Sequence, residues 1–382
     1  MKKWSTILFF AICFLIGILI GVFNLGEPLF ASIRGFISEA NFFSLVLLLL
    51  SAVIFYYLHI ILHEAGHLIM GKLSGYRFVS FRVFNLMLVR ENGKLKRKRF
   101  TVVGTGGQCL MSPPEMKHGT FPLVLYNLGG ALMNFLFGAL CLWLFLLLPM
   151  PWSAAFLVSA VIGLFSGLVN IIPLKVGGVP NDGYNLFLLG REKNTAARQA
   201  FWLVLRANAM LASGIRARDF PASWFDGLDL DQLADPMMAN LAAMRYNYLL
   251  DQGAFQEARA LARRLLDTPN MLELFKNEMR CELLFFELIF ECREDEIKRL
   301  YTADLKAYIN ATSAHAARQR LLYAYARLFL KDAAQGLVHL ALFHKACAKS
   351  ASLGEIPGEQ ELIAYIDQIA QQRTDALSAA TV

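Results

Sequence analysis

Charge is scarce in this 382-residue chain, and across one stretch it is missing altogether. Asp, Glu, Lys and Arg make up 18% of the residues against 56% hydrophobic ones, a balance unusual for a soluble domain and ordinary for a partly membrane-spanning one. Gly119 to Leu174 is a run of 56 residues without one of those four. It is too long for a single crossing of a hydrocarbon core roughly 30 Å thick and about right for two. Paired cysteine spacing is also absent. Cys13, Cys109, Cys141, Cys281, Cys292 and Cys347 fall singly in apolar or helical patterns, which argues against a disulfide-built scaffold. No inverted repeat offers a through-path, which argues against a transporter.

What is present is a series of apolar spans. Trp4 to Gly26 follows Lys2 and Lys3. It exceeds a signal-peptide core and lacks a small-x-small cleavage site, so it reads as a retained anchor. Ala40 to Leu62 is a second span, and Pro149 and Pro151 split the uncharged run into a third and a fourth. The loop over 71–118 carries Lys72, Arg77, Arg82, Arg90, Lys94, Lys96, Arg97, Lys98, Arg99 and Lys117 against Glu91 and Glu115. By the positive-inside rule that loop faces the cytoplasm, and with four crossings both termini do too. The expected setting is a bacterial cell membrane.

Within the basic loop, Arg77–Val89 and Leu95–Val103 flank Asn92-Gly93, a β-hairpin signal. Its five basic residues over 94–99 suit anionic headgroups, and suit a solvated surface equally well. From about residue 191 the composition becomes that of a soluble helical domain. Asn240–Asp251 and Gln256–Asp267 flank a turn at Gly253, and similar turns near Arg293-Glu294 and Lys331-Asp332 set a spacing of about 40 residues. The expected fold is mainly α, a polytopic membrane protein with about four transmembrane helices, a membrane-proximal β-hairpin and a C-terminal tetratricopeptide-like domain. Its expected parts are an anchor and external loop over 1–39, a core over 40–190 with the hairpin at about 77–103, and a cytoplasmic helical-hairpin domain over 191–382.

The chemistry sits in His63-Glu64-Ala65-Gly66-His67. Histidines four apart share one helix face, so both imidazoles can reach one Zn²⁺ at about 2.0–2.1 Å. Glu64 can take the proton of a metal-bound water and return it to a leaving amine. The metal lowers that water's pKa towards about 7 and polarises the scissile carbonyl. Three ionisable groups where an apolar crossing ends are costly unless paired or functional. A third ligand is needed, and Asp182 is the only carboxylate between Glu115 and Glu192, although an Asp-Gly turn accounts for it as well. His59, one turn before His63, would close the site as a fourth ligand and is excluded from that role. His118, His315, His339 and His344 have no metal-ligand spacing.

These motifs occur in order: HEAGH at the end of one crossing, Gly130-Ala131-Leu132-Met133-Asn134 on the next, and Asn170-x-x-Pro173 with Asp182-Gly183 after the third. The set resembles the site-2 protease family of intramembrane zinc metalloproteases, whose catalytic core has three helices. The resemblance covers residues 40 to 190 and implies that His63, His67 and Asp182 ligate zinc, that Glu64 is the general base, and that Asn134, Asn170, Pro173, Gly130 and Gly183 line the site. Asn134 would bond the substrate backbone or a developing oxyanion; a buried asparagine joining two helices is the other reading. The Asn170–Asp182 interval is longer than the family's usual one, and no PDZ domain is recognisable. The implied activity is zinc-dependent hydrolysis of peptide bonds in or beside a transmembrane segment of a membrane-anchored substrate. A rival is a catalytically silent scaffold that binds transmembrane helices and cytoplasmic partners.

Overall fold

The computed structural model describes residue 21 and residues 26–39, 41–91, 93–99, 105–176, 179–191, 194–233, 235–269 and 271–380. The expected anchor at Trp4–Gly26 lies almost wholly outside them. The chain is mainly helical with a small antiparallel sheet component. In order come α1 (Gly26–Glu39), α2 (Phe42–Leu73), β1 (Arg77–Val83), β2 (Leu86–Glu91), β3 (Lys94–Arg99), β4 (Gly107–Ser112), α3 (Leu123–Leu147) and α4 (Trp152–Ile171). The two-residue strands β5 (Lys175–Val176) and β6 (Val179–Pro180) precede α5 (Asp182–Leu189) and α6 (Thr195–Ala212). Then follow α7 (Pro236–Asp251), α8 (Phe255–Asp267), α9 (Glu273–Ile289), α10 (Glu294–Leu300), α11 (Ala303–Ala311), α12 (Ala316–Ala324), α13 (Ala333–Lys349) and α14 (Ile356–Ala380).

Among the described residues three helices, α2, α3 and α4, are long and apolar enough to cross a membrane. Side chains such as Phe42, Ile54, Leu136 and Phe165 stand outward and exposed on them, a surface consistent with a membrane protein. The interval 27–39, expected as an external loop, is helical in α1. Its one proline, Pro28, falls in the first turn, where a missing N–H costs little.

Contacts group the chain into two compact units, one of residues 1–84 and 104–195, the other of residues 85–103 and 196–382. In the first, Asn41 caps α2: its Oδ1 accepts from the Ser44 amide and the Ser44 hydroxyl accepts from the Asn41 amide, both at 2.9 Å. α2 packs on α3 and α4, and the α2–α3 approach is backbone to backbone. A Cβ on Gly66 would come 2.1 Å from the Gly129 carbonyl oxygen, and one on Gly129 would come 2.4 Å from that of Gly66. Only glycine at both positions permits this crossing. β1 and β4 pair antiparallel from Arg77↔Ser112 to Val83↔Gly107, and Tyr126 of α3 ties β4 down by donating to the Cys109 carbonyl at 2.9 Å.

The sequence makes Arg77–Val89 one arm of a hairpin. It is instead two strands, β1 and β2, with Phe84 at a left-handed φ of 54° between them. A turn with Gly93 at φ 77° joins β2 to β3, with register from Leu86↔Arg99 to Glu91↔Lys94. This arm groups with the helical residues of the second unit, where Lys98 donates to the Ser350 carbonyl at 2.9 Å. Two of its basic residues, Lys96 and Lys98, are spent on the buried carboxylate of Glu91.

The second unit reverses direction at Gly253, Cys292 and Lys331, all at left-handed φ and each 39 residues from the next. Its core runs from Leu233 to Ile369 and encloses charge as well as apolar surface. Arg320, 1% exposed, donates to Glu282 at 3.0 Å and to Glu359 at 2.8 Å, and Arg318 pairs with Glu278. Breaking such a buried pair from one side costs about 3–5 kcal/mol.

A cavity of about 370 Å³ opens beside this network, lined in part by Tyr246, Glu278, Arg318, Glu355 and Glu359. Glu355 projects into it, so its surface is accessible although protein surrounds it. Burial, reinforced by Glu359, Asp251 and Glu278, pushes its carboxyl up to about 7. The fold therefore favours the neutral acid. Stability from this group is intact below the unfolded carboxyl's pKa of about 4.3 and is lost as pH rises towards 7. Glu355→Gln is expected to raise the melting temperature of the detergent-solubilised chain at pH 8 and to leave it unchanged at pH 4; equal shifts at both would contradict this.

Candidate metal centre

The site grows out of a helix-to-helix register. α2 and α3 run antiparallel, and three α2 residues one turn apart each face a residue one turn apart on α3. His67 Nδ1 donates to the Tyr126 carbonyl at 2.7 Å, His63 lies against Gly130, and His59 Nδ1 meets the Asn134 amide at 3.1 Å. Gly130 has no alternative: a Cβ there would sit 2.4–2.6 Å from the His63 ring.

Asp182 joins from α5. Its Oδ2 is 3.2 Å from His63 Nε2 and 3.3 Å from His67 Nε2, and the two nitrogens are 3.1 Å apart. Because His67 gives its Nδ1 proton to Tyr126, neutral His67 turns a lone pair towards two other electron-rich atoms. Atoms held this close repel one another unless a proton or a metal cation lies between them. In a tetrahedral site with bonds of about 2.0–2.1 Å, donor atoms are separated by roughly 3.3–3.4 Å. These three therefore fit a metal ion with little adjustment, and they form the one such group among the described residues. Burial alone would raise the Asp182 carboxyl, but His67 and His63 more than offset this and hold it well below the usual carboxylate range.

Glu64, 8% exposed, is coupled electrostatically to His67, His63 and Asp182. A Cβ on Gly107, the first residue of β4, would come 2.4 Å from Glu64 Oε1. Arg82, fully buried, clamps that strand end: it donates to the Gly107 carbonyl at 3.2 Å, the Phe84 carbonyl at 2.8 Å and the Thr105 hydroxyl. No family model, no curated protein and no solved structure matches this chain.

The approach to Asp182 is a folded arm. β5 and β6 pair antiparallel, Lys175↔Pro180 and Val176↔Val179, so the extra residues leave and return without carrying Asp182 away. Their tip lies outside the described residues. Asn181 then fastens the return. Its Nδ2 donates to the carbonyls of Val169 at 2.5 Å and Ile172 at 2.8 Å, and its Oδ1 accepts from the amides of Tyr184 at 2.8 Å and Leu174 at 3.1 Å. One side chain thus closes the end of α4 and caps α5. Sequence reasoning gave Asn181 no role, although an asparagine directly before a short helical run is an N-cap signal.

The other expected residues divide. Gly183 presses on α4, where a Cβ would come 2.0 Å from the Ile171 carbonyl oxygen. Pro173 lies half-buried in the turn after α4. Asn170 donates to Ser166 at 2.9 Å, one turn back in its own helix, and has no hydrogen bond to the three converging residues. Asn134, 1% exposed, spans His59 and His63, the latter at 3.4 Å from Nδ1. Arg82 and the Tyr126 carbonyl left no spacing signal in the sequence.

Asn181→Ala removes four hydrogen bonds and should destabilise the protein by about 1–2 kcal/mol through the lost cap alone. A melting temperature equal to wild type in detergent would contradict that assignment.

Proposed function

We propose that this chain is an intramembrane zinc metalloprotease of the site-2 protease kind. The observation that carries the reading is the triangle of His63 Nε2, His67 Nε2 and Asp182 Oδ2, with edges of 3.1–3.3 Å, beside the buried carboxylate of Glu64. It lies 21 residues into α2, about 32 Å from the helix start at 1.5 Å per residue. That is where a crossing of roughly 30 Å runs out, so water can reach the site from one face of the membrane. The order of HEAGH, Gly130-x-x-x-Asn134 and Asn170-x-x-Pro173…Asp182-Gly183 supports the same reading.

His63, His67 and Asp182 would hold the zinc, which when bound supplies a Lewis acid for water and for a peptide carbonyl. Glu64 takes the proton from the attacking water and passes it to the departing amine. Arg82 and Gly107 keep that carboxylate in place. Among the described residues β4 ends the strand order, leaving one edge without a partner strand, and its first residue Gly107 lies against Glu64. That edge receives an unwound stretch of the substrate by strand addition. Unwinding is needed because a transmembrane helix hides its peptide bonds in internal hydrogen bonds.

The substrate is a membrane-anchored protein. A fourth crossing at Trp4–Gly26 would place both termini in the cytoplasm with the basic 71–118 loop. Residues 191–382 form a tetratricopeptide-like array, as the 39-residue recurrence of left-handed turns suggests, and bind the substrate's cytoplasmic part or another cytoplasmic protein.

Purified protein should carry one zinc per chain by elemental analysis. Glu64→Gln should keep that zinc and lower cleavage of a membrane-anchored reporter by a factor of about 10² to 10⁴. Cleavage by this variant at the wild-type rate would sink the mechanism. Asp182→Ala should lose the metal, and full occupancy in it would remove Asp182 from the ligand set.

A further inference from the structure

Asn134 lies between two histidines, and the donors and acceptors around it permit only some arrangements. At one end His59 Nε2 is 3.0 Å from the Ser159 carbonyl oxygen. A carbonyl only accepts, so His59 Nε2 carries the proton. The Ser159 hydroxyl, at 3.3 Å, is the longer contact and does not change this. His59 is 1% exposed and lies against Asn134, Ser159, Phe137 and Gly163. With the neutral ring's one proton on Nε2, Nδ1 is an acceptor, so the amide, placed with Oδ1 towards His59 at 3.1 Å, has to be turned over to bring its NH₂ there. Turned so, the carbonyl oxygen takes the place of Nδ2, 3.4 Å from His63 Nδ1, and accepts its proton.

The other end of the chain demands the same thing independently. If His63 Nε2 faces a metal with His67 Nε2 and Asp182 Oδ2, its proton belongs on Nδ1, which needs an acceptor. Left unturned, the amide would give His63 Nδ1 a donor, move its proton to Nε2 and aim that proton at the ligand cluster. The acceptor-only Ser159 carbonyl and the metal thus select one orientation of one amide.

We infer that Ser159 C=O, His59 and Asn134 form a relay that fixes the tautomer of His63 for metal ligation, making His59 and Asn134 positioning residues of the centre. This rests on the metalloprotease reading above. It gives Asn134 a duty towards the metal rather than towards substrate, and gives His59 a function although it ligates nothing. Gly163 serves the relay by making room: a Cβ there would come 2.5 Å from His59 Cε1.

The test is zinc affinity of the full chain in detergent, by competition with a chromogenic chelator. Asn134→Leu and His59→Leu should bind zinc about 10–100-fold more weakly than wild type, the usual loss for a partner behind a ligand. Asn134→Asp has the same size as the leucine variant but keeps an acceptor for His63, so its affinity should stay within a few-fold of wild type. Ser159→Ala keeps the carbonyl and should change nothing. Wild-type affinity in both leucine variants, or an equal loss in Asn134→Leu and Asn134→Asp, would overturn the relay. If Asn134→Leu does not fold, His59→Leu against His59→Gln, whose amide can both donate and accept, reads the same relay. Absence of zinc from the wild type would instead overturn the metalloprotease reading, and the relay with it.

Discussion

None of the converging side chains could meet unless α2 and α3 touched backbone to backbone. Gly66 and Gly129 set that contact, and any side chain at either would drive the helices apart by more than an ångström. From it follows the register that brings His67 to the Tyr126 carbonyl, His63 to Gly130 and His59 to Asn134. In lipid, where water does not drive apolar helices together, close packing of small residues is the main force available. The same glycines that bind the helices therefore also focus the histidines.

Asp182 depends on a different device. α5 is a short helix of eight residues whose first residue is Asp182, and short helices are poorly stable alone. Asn181 holds it by four hydrogen bonds to two segments, and the β5–β6 arm returns the chain to the right place. The carboxylate is thus positioned from behind by the backbone contacts of Asn181.

Much of this was legible in the sequence because periodicity and charge carry it. The 56-residue uncharged run with two prolines gave two helices, and HEAGH gave two imidazoles on one face. The Asn-Gly turn gave the β2–β3 arm, and Asp182 does reach the histidines. What did not show was whatever depends on contact between distant segments. The division of Arg77–Val89 into two strands turns on a left-handed Phe84, a conformation no residue preference announces. Helix α1 occupies an interval whose charges suggested only a loop. Asn181 and Asn170 look alike on paper, yet one joins four backbone groups and the other a single carbonyl of its own helix. His59 could be excluded as a ligand because a fourth one would close the site, but its partner Ser159 lies 100 residues away.

That long separation has a temporal side. His67 and Asp182 are 115 residues apart in the chain. At a synthesis rate of about 5–20 residues per second, the carboxylate follows the histidines by roughly 6–23 s. Until α3 and α4 have been made and the β5–β6 arm has folded back, the histidines lack both the Tyr126 carbonyl and Asp182. The cluster is therefore completed only when α5 has followed the rest of its unit.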